Sequence, residues 1–301
     1  MIIEILILTS IILIIIFNKK LNLDLEKYIK LFFILFLVCA VSSIVSTLNL
    51  NIIFLGYIGS FVGYFAFGLV LLHSSKELGI KKTSLFFFIM LLFGLFSEVI
   101  GVKYGLIFGS YYYTYASKFF FGIVPLMTPI TWAILIYVSY TITNLFLYKF
   151  GGEKPNKKDK FWYLIALIVL LSSIDGLIAV NMDMILDPIS VSKQSWVWIG
   201  GGPYFGIPLS NFIGWFFVTF SATFIFRFSE SFSYNNNFTK NKTINYSFYV
   251  FSIYLMYFLI DIVKSIKIDR LEYVLIGITT MGPFIIILVL MYFIKVKGDN
   301  N

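Results

Sequence analysis

Asp183 and Asp187 stand four residues apart in a chain that carries few charges of any kind. If the backbone between them is helical, their side chains are neighbours, with Cβ atoms about 5–6 Å apart. Two carboxyls that close can share one proton, leaving one partner acidic and the other basic. Glu98 and Asp175 extend the set. A carboxylate inside a bilayer is costly and is a functional candidate by default. Asp175 falls roughly a quarter turn away from Asp183 on the same helix, at 100° per residue. Tyr111, Tyr113, Trp196 and Trp198 lie in neighbouring segments and offer π faces to a cation, at ~0.5–2 kcal/mol each.

The elements that must hold these residues are membrane helices. The chain has 301 residues, of which 59% are hydrophobic and 13% charged. Its mean hydropathy is +0.92. A soluble domain carries about 25% charge. The single cysteine, Cys39, excludes an internal disulfide, and the single histidine, His73, excludes His-pair zinc motifs. The net charge of +8 is read as loop Lys and Arg that orient the chain in a bilayer, not as a nucleic-acid surface.

A bilayer-crossing helix needs ~20 mostly apolar residues. Nine segments qualify: Ile2–Phe17, Leu31–Leu48, Ile52–Leu72, Leu85–Ile100, Gly122–Tyr148, Phe161–Val180, Asn211–Phe226, Phe248–Val263 and Tyr273–Ile294. The first is short and holds Glu4, and it reads as an anchor. The expected architecture is all-α: a polytopic transmembrane bundle of about 8–9 spans in the cell membrane, forming one integral-membrane domain over residues 1–301. One set of alternate loops holds 17 Lys and Arg, counting Arg227 and Lys154, and the other holds 6. The positive-inside rule puts the N-terminus outside and the C-terminus in the cytoplasm. Glu98, Asp175, Asp183, Asp187 and Asp261 then all gather toward the outer side.

Two outer loops between residues 101 and 210 are dense in Gly, Pro and aromatics. Such irregular backbone is tolerated at a membrane where it lines a cavity or is covered by protein. Plainer readings accompany several residues. Asp187-Pro188 is a helix-stop signal. Gly200–Gly202 is a turn, Asp261 a solvated span end, His73 an interfacial residue, and Arg227–Ser247 an inner loop rich in Asn.

Ser97-Glu98-x-x-Gly101 followed by Phe108-Gly109-x-Tyr111-x-Tyr113-Thr114 resembles the first signature of the integral-membrane carotenoid biosynthesis family. That family includes hydratases of bacterioruberin precursors and related linear end groups. Asp183-x-x-x-Asp187-Pro188, Trp196-x-Trp198, Tyr204-Phe205-Gly206-x-Pro208 and Asn211-x-x-Gly214-Trp215 resemble its second signature. The likeness spans roughly residues 94–215. It implies addition of water to a terminal isoprenoid double bond, with no cofactor and no metal, on a carotenoid or polyisoprenoid drawn from the bilayer. Asp183, Asp187, Glu98 and Asp175 are then the catalytic candidates. Tyr104, Tyr111, Tyr113, Trp196, Trp198, Tyr204, Asn211 and Trp215 are candidates to line a slot for a polyene.

Two other functions compete. Asn181-x-Asp183-x-x-x-Asp187 faintly resembles a magnesium–diphosphate motif of membrane prenyltransferases, with Lys103 and Lys193 as the only plausible basic partners. Intramembrane carboxylates also serve proton-coupled carriers of lipids or polyisoprenoids.

Overall fold

The computed structural model describes residues 24–48, 52–114, 118–149, 154–232 and 240–298. The expected first span, Ile2–Phe17, lies outside them. The helices are α1 (Leu25–Thr47), α2 (Ile53–Gly59), α3 (Val62–Glu77), α4 (Ile80–Tyr104), α5 (Met127–Lys149), α6 (Phe161–Ser192), α7 (Leu209–Phe232), α8 (Lys240–Lys267), α9 (Leu271–Thr280) and α10 (Gly282–Gly298). Four short strands join them: β1 (Tyr111–Tyr113), β2 (Lys118–Phe120), β3 (Val124–Pro125) and β4 (Trp196–Trp198).

Among the described residues, seven helical segments are long and apolar enough to cross a bilayer, with α2 and α3 together making one of them. The pair α9–α10 supplies an eighth, bent by 43° at its junction. Pro283 accounts for the bend, since it has no N–H to donate and its ring clashes with the carbonyl four residues back. Side chains that face outward, such as Ile34, Phe88, Phe96 and Phe217, are apolar, as contact with lipid requires.

The largest departure from the sequence reading is α6. It was expected to end at Val180 and runs instead to Ser192, straight through Pro188. At about 1.5 Å per residue its 32 residues span ~48 Å, more than the ~30 Å hydrocarbon core. Asp183 and Asp187 therefore sit within the helix, not beyond its end. Proline at 188 frees the carbonyl of Met184, and the Tyr204 hydroxyl donates to that oxygen at 2.9 Å. A tertiary contact thus replaces the missing helical bond.

Helices α4, α5, α6 and α7 pack in a ring, each against the next, with α4 closing on α7. Gly94 permits the close approach of α4 to α5, because a Cβ there would lie 2.7 Å from the Cβ of Trp132. Gly105 caps α4 in the left-handed conformation (φ 67), returning its N–H to the Gly101 carbonyl. The chain then enters β1, which pairs antiparallel with β4 in the register Tyr111–Trp198 and Tyr113–Trp196. Strand alternation turns Tyr111 and Tyr113 inward and leaves Tyr112 exposed. The two-stranded ribbon thereby roofs one end of the four-helix ring.

Three further expectations are revised. Arg227 is no loop cation: it lies inside α7 and is 1% exposed. The inner loop expected from Arg227 to Ser247 is shorter at both ends, because α7 continues to Phe232 and α8 begins at Lys240. His73 is not interfacial but buried, with Nδ1 2.7 Å from the Tyr137 hydroxyl.

Candidate active site

A cavity of about 360 Å³ lies beneath the β1–β4 ribbon. Glu98 of α4, Asp187 of α6, and Asn211 and Trp215 of α7 reach it, together with Tyr111, Tyr113, Trp196 and Trp198 from the ribbon. The structure thus collects residues from two loops that are about ninety positions apart in sequence.

Three donors converge on the Glu98 carboxyl. The Tyr113 hydroxyl donates to Oε2 at 2.6 Å, and Tyr111 donates to the same oxygen. The Trp132 indole N–H donates to Oε1 at 2.8 Å. Burial, and then the charge of Glu98, hold the Tyr111 and Tyr113 hydroxyls well above the ordinary phenol range. Both tyrosines therefore remain donors. Trp132 stacks on Trp215 with ring centroids 3.9 Å apart and 23° between planes. This stack links the Glu98 side of the cavity to α7.

Asp183 and Asp187 occupy one face of α6, one turn apart, and both are almost fully buried. The Asn211 amide donates to Asp183 Oδ2 at 2.8 Å and to Asp187 Oδ2 at 2.6 Å. The shared amide holds the two carboxyls side by side in a buried site. Asp187 lines the cavity, while Asp183 stands behind it, coupled through Asn211.

Three candidates lie elsewhere. Tyr104 is exposed at the end of α4, beneath the Lys103 ammonium. Tyr204 does not line the cavity and instead supports the Met184 carbonyl. Asp175 is gripped by Arg227, whose Nε and Nη2 each donate to it at 2.9 Å. Arg227 also donates to Asn144 at 2.8 Å and lies over the Tyr140 ring. Beside it, Glu230 accepts from Lys154 at 2.8 Å and from Tyr140 at 2.6 Å. Lys154, in the loop before α6, is likewise buried. Asp261 is not solvated either: it is 6% exposed and paired with Lys264.

Trp132 was not among the candidates. A signal for it existed, because its expected span Gly122–Tyr148 put it far from either interface. Interfacial belts explain tryptophans at span ends. A tryptophan further in needs a partner for its N–H.

Fold and cavity together define a multi-pass membrane protein with an aromatic, acid-bearing pocket at one end of a four-helix ring. A family model described as "carotenoid biosynthesis protein" matches residues 55–283, and the chain belongs to that family. Comparison with curated proteins finds no match, and comparison with solved structures finds none.

Proposed function

We propose that this protein is a carotenoid hydratase of the cell membrane. It adds water to the terminal isoprenoid double bond of a linear carotenoid of the lycopene or bacterioruberin-precursor type. The observation that carries this reading is the Asp183–Asn211–Asp187 bridge on the wall of an aromatic cavity whose other side holds Glu98.

In the proposed reaction the carboxyl pair holds one proton. Asp187 delivers it to the less substituted alkene carbon, using the π electrons to form the new C–H bond. The adjoining carbon becomes a tertiary cation. The Glu98 carboxylate and the faces of Trp132 and Trp215 stabilise that charge in a site of low dielectric. Water adds to the cation through an oxygen lone pair, and its surplus proton returns to Asp187. The pair ends as it began, and the net change is one water added across one double bond.

Expression in a host that makes lycopene or bisanhydrobacterioruberin tests the reading. The expected result is a product heavier by one water, absent with Asp183→Asn. Substrate taken up without chemical change would point to a carrier. Magnesium-dependent incorporation of a prenyl diphosphate would point to a prenyltransferase. Either result overturns the hydratase.

A further inference from the structure

A second cavity of about 220 Å³ adjoins the acid pocket across the α5–α6 wall. Ser43 of α1, Gly63 of α3, Met182 of α6 and Ile260 of α8 line it, with Met281 from the α9–α10 junction. On α6, Met182 and Leu186 form the helix face next to that of Asp183 and Asp187. Two side chains, Thr131 of α5 and Leu186 of α6, line both cavities. Neither is fully buried. The two spaces are therefore divided at Thr131 and Leu186 by side chains, which change rotamer without moving a helix.

Size supplies the reason for a second compartment. Pockets for drug-sized ligands run to about 300–1,000 Å³. At about 360 Å³ the acid pocket encloses the reacting end of a long isoprenoid and little more. The remaining chain is wholly apolar and needs an apolar surface, and the adjoining cavity presents Met182, Leu186, Ile260 and Met281; Asp261 and Lys264 also line it, their charges paired with each other at 3.1 Å.

We propose that the second cavity is a subsite for the unreacted stretch of the isoprenoid chain, and that Thr131 and Leu186 gate the passage between the two compartments. The subsite then sets how long a chain the protein prefers. This inference rests on the reading of the acid pocket as the place where an isoprenoid end reacts.

Binding to the purified full chain in lipid nanodiscs tests it. Four of the five tryptophans line the acid pocket, so a bound polyene quenches their fluorescence. The two probes are lycopene and methyl parinarate, a much shorter linear polyene. Ile260→Phe and Ser43→Phe narrow the second cavity without touching the first. In both variants lycopene affinity is expected to fall about tenfold, the equivalent of losing about two buried methylene groups. Methyl parinarate affinity is expected to stay within about twofold, which also shows that the acid pocket has folded. Affinities that fall together for both probes, or that do not change, overturn the subsite. Length-selective binding with no hydrated product in the expression host supports the subsite and overturns the hydratase reading alone.

Discussion

The Tyr204 hydroxyl lies 2.9 Å from the carbonyl oxygen of Met184, the acceptor that Pro188 leaves without its helical donor. This contact keeps α6 continuous through the stretch that carries Asp183 and Asp187. Removing it orphans a carbonyl within the protein, which costs about 1–3 kcal/mol. Tyr204→Phe is expected to lower stability by that amount in thermal unfolding of the detergent-solubilised protein. In a Pro188→Ala background the amide at 188 can donate to Met184 again, so the same substitution should cost much less. Equal losses in the two backgrounds would show that Tyr204 stabilises the protein in some other way.

Glu98 offers a second test, because each of its donors can be removed singly. Trp132→Phe keeps an aromatic ring against Trp215 but deletes the N–H that reaches Oε1. Tyr113→Phe deletes one of the two hydroxyls on Oε2. A hydrogen bond to a charged group contributes about 1.5–3 kcal/mol. If that bond acts in the transition state, kcat/KM should fall about 10- to 100-fold in each variant. The assay is hydrated product per folded molecule in lipid. Unchanged kcat/KM in both variants would remove Glu98 from the mechanism.

The spans were legible in the sequence as apolar runs, because a bilayer imposes one length on all of them. Their ends were not. Phe161–Val180 was cut short because Asn181 and Asp183 end the apolar run; Pro188 is a further local stop signal, and the group that overrides it comes from residue 204. Arg227 read as a loop cation because it closes an apolar run, and nothing nearby in sequence announces Asp175 as its partner. The site was more legible than the span ends. Asp183 and Asp187 are spaced for one helix face, which could be read directly, and Tyr111 and Tyr113 stood out through the family signature, but their pairing with β4 could not be read because no strand was expected there. The convergence of Trp132 on Glu98 depends on α4 and α5 packing at Gly94, which no spacing rule encodes.

Asp175 and Arg227 form the most buried ion pair among the described residues, at 0% and 1% exposure. Removing one partner of such a pair leaves an uncompensated charge, at a cost of about 3–5 kcal/mol. Asp175→Asn and Arg227→Met are each expected to lose stability on that scale. The double replacement Asp175→Leu with Arg227→Met should recover most of the loss, since apolar pairs often substitute for buried ions. Urea or thermal unfolding in detergent decides the point. A double variant as unstable as either single one would mean that the pair does more than hold α6 to α7.

The tyrosines set an alkaline limit that can be worked out with its sign. Burial, and then the nearby Asp183, push the Tyr204 hydroxyl up to about 12. Tyr111 and Tyr113 are also held well above the ordinary value. A phenol whose value is raised on folding contributes stability that is fully present below its unfolded value of about 10. That contribution disappears as pH rises through the folded value. No tyrosine-linked loss of stability should therefore appear below about pH 10, and the part due to Tyr204 should be lost between about 10 and 12. Ultraviolet titration of phenolate absorbance, taken as the difference between wild type and Tyr204→Phe, isolates this one hydroxyl among the 20 tyrosines. A difference curve centred at or below about 10 would mean that Tyr204 is solvated and does not hold the Met184 carbonyl.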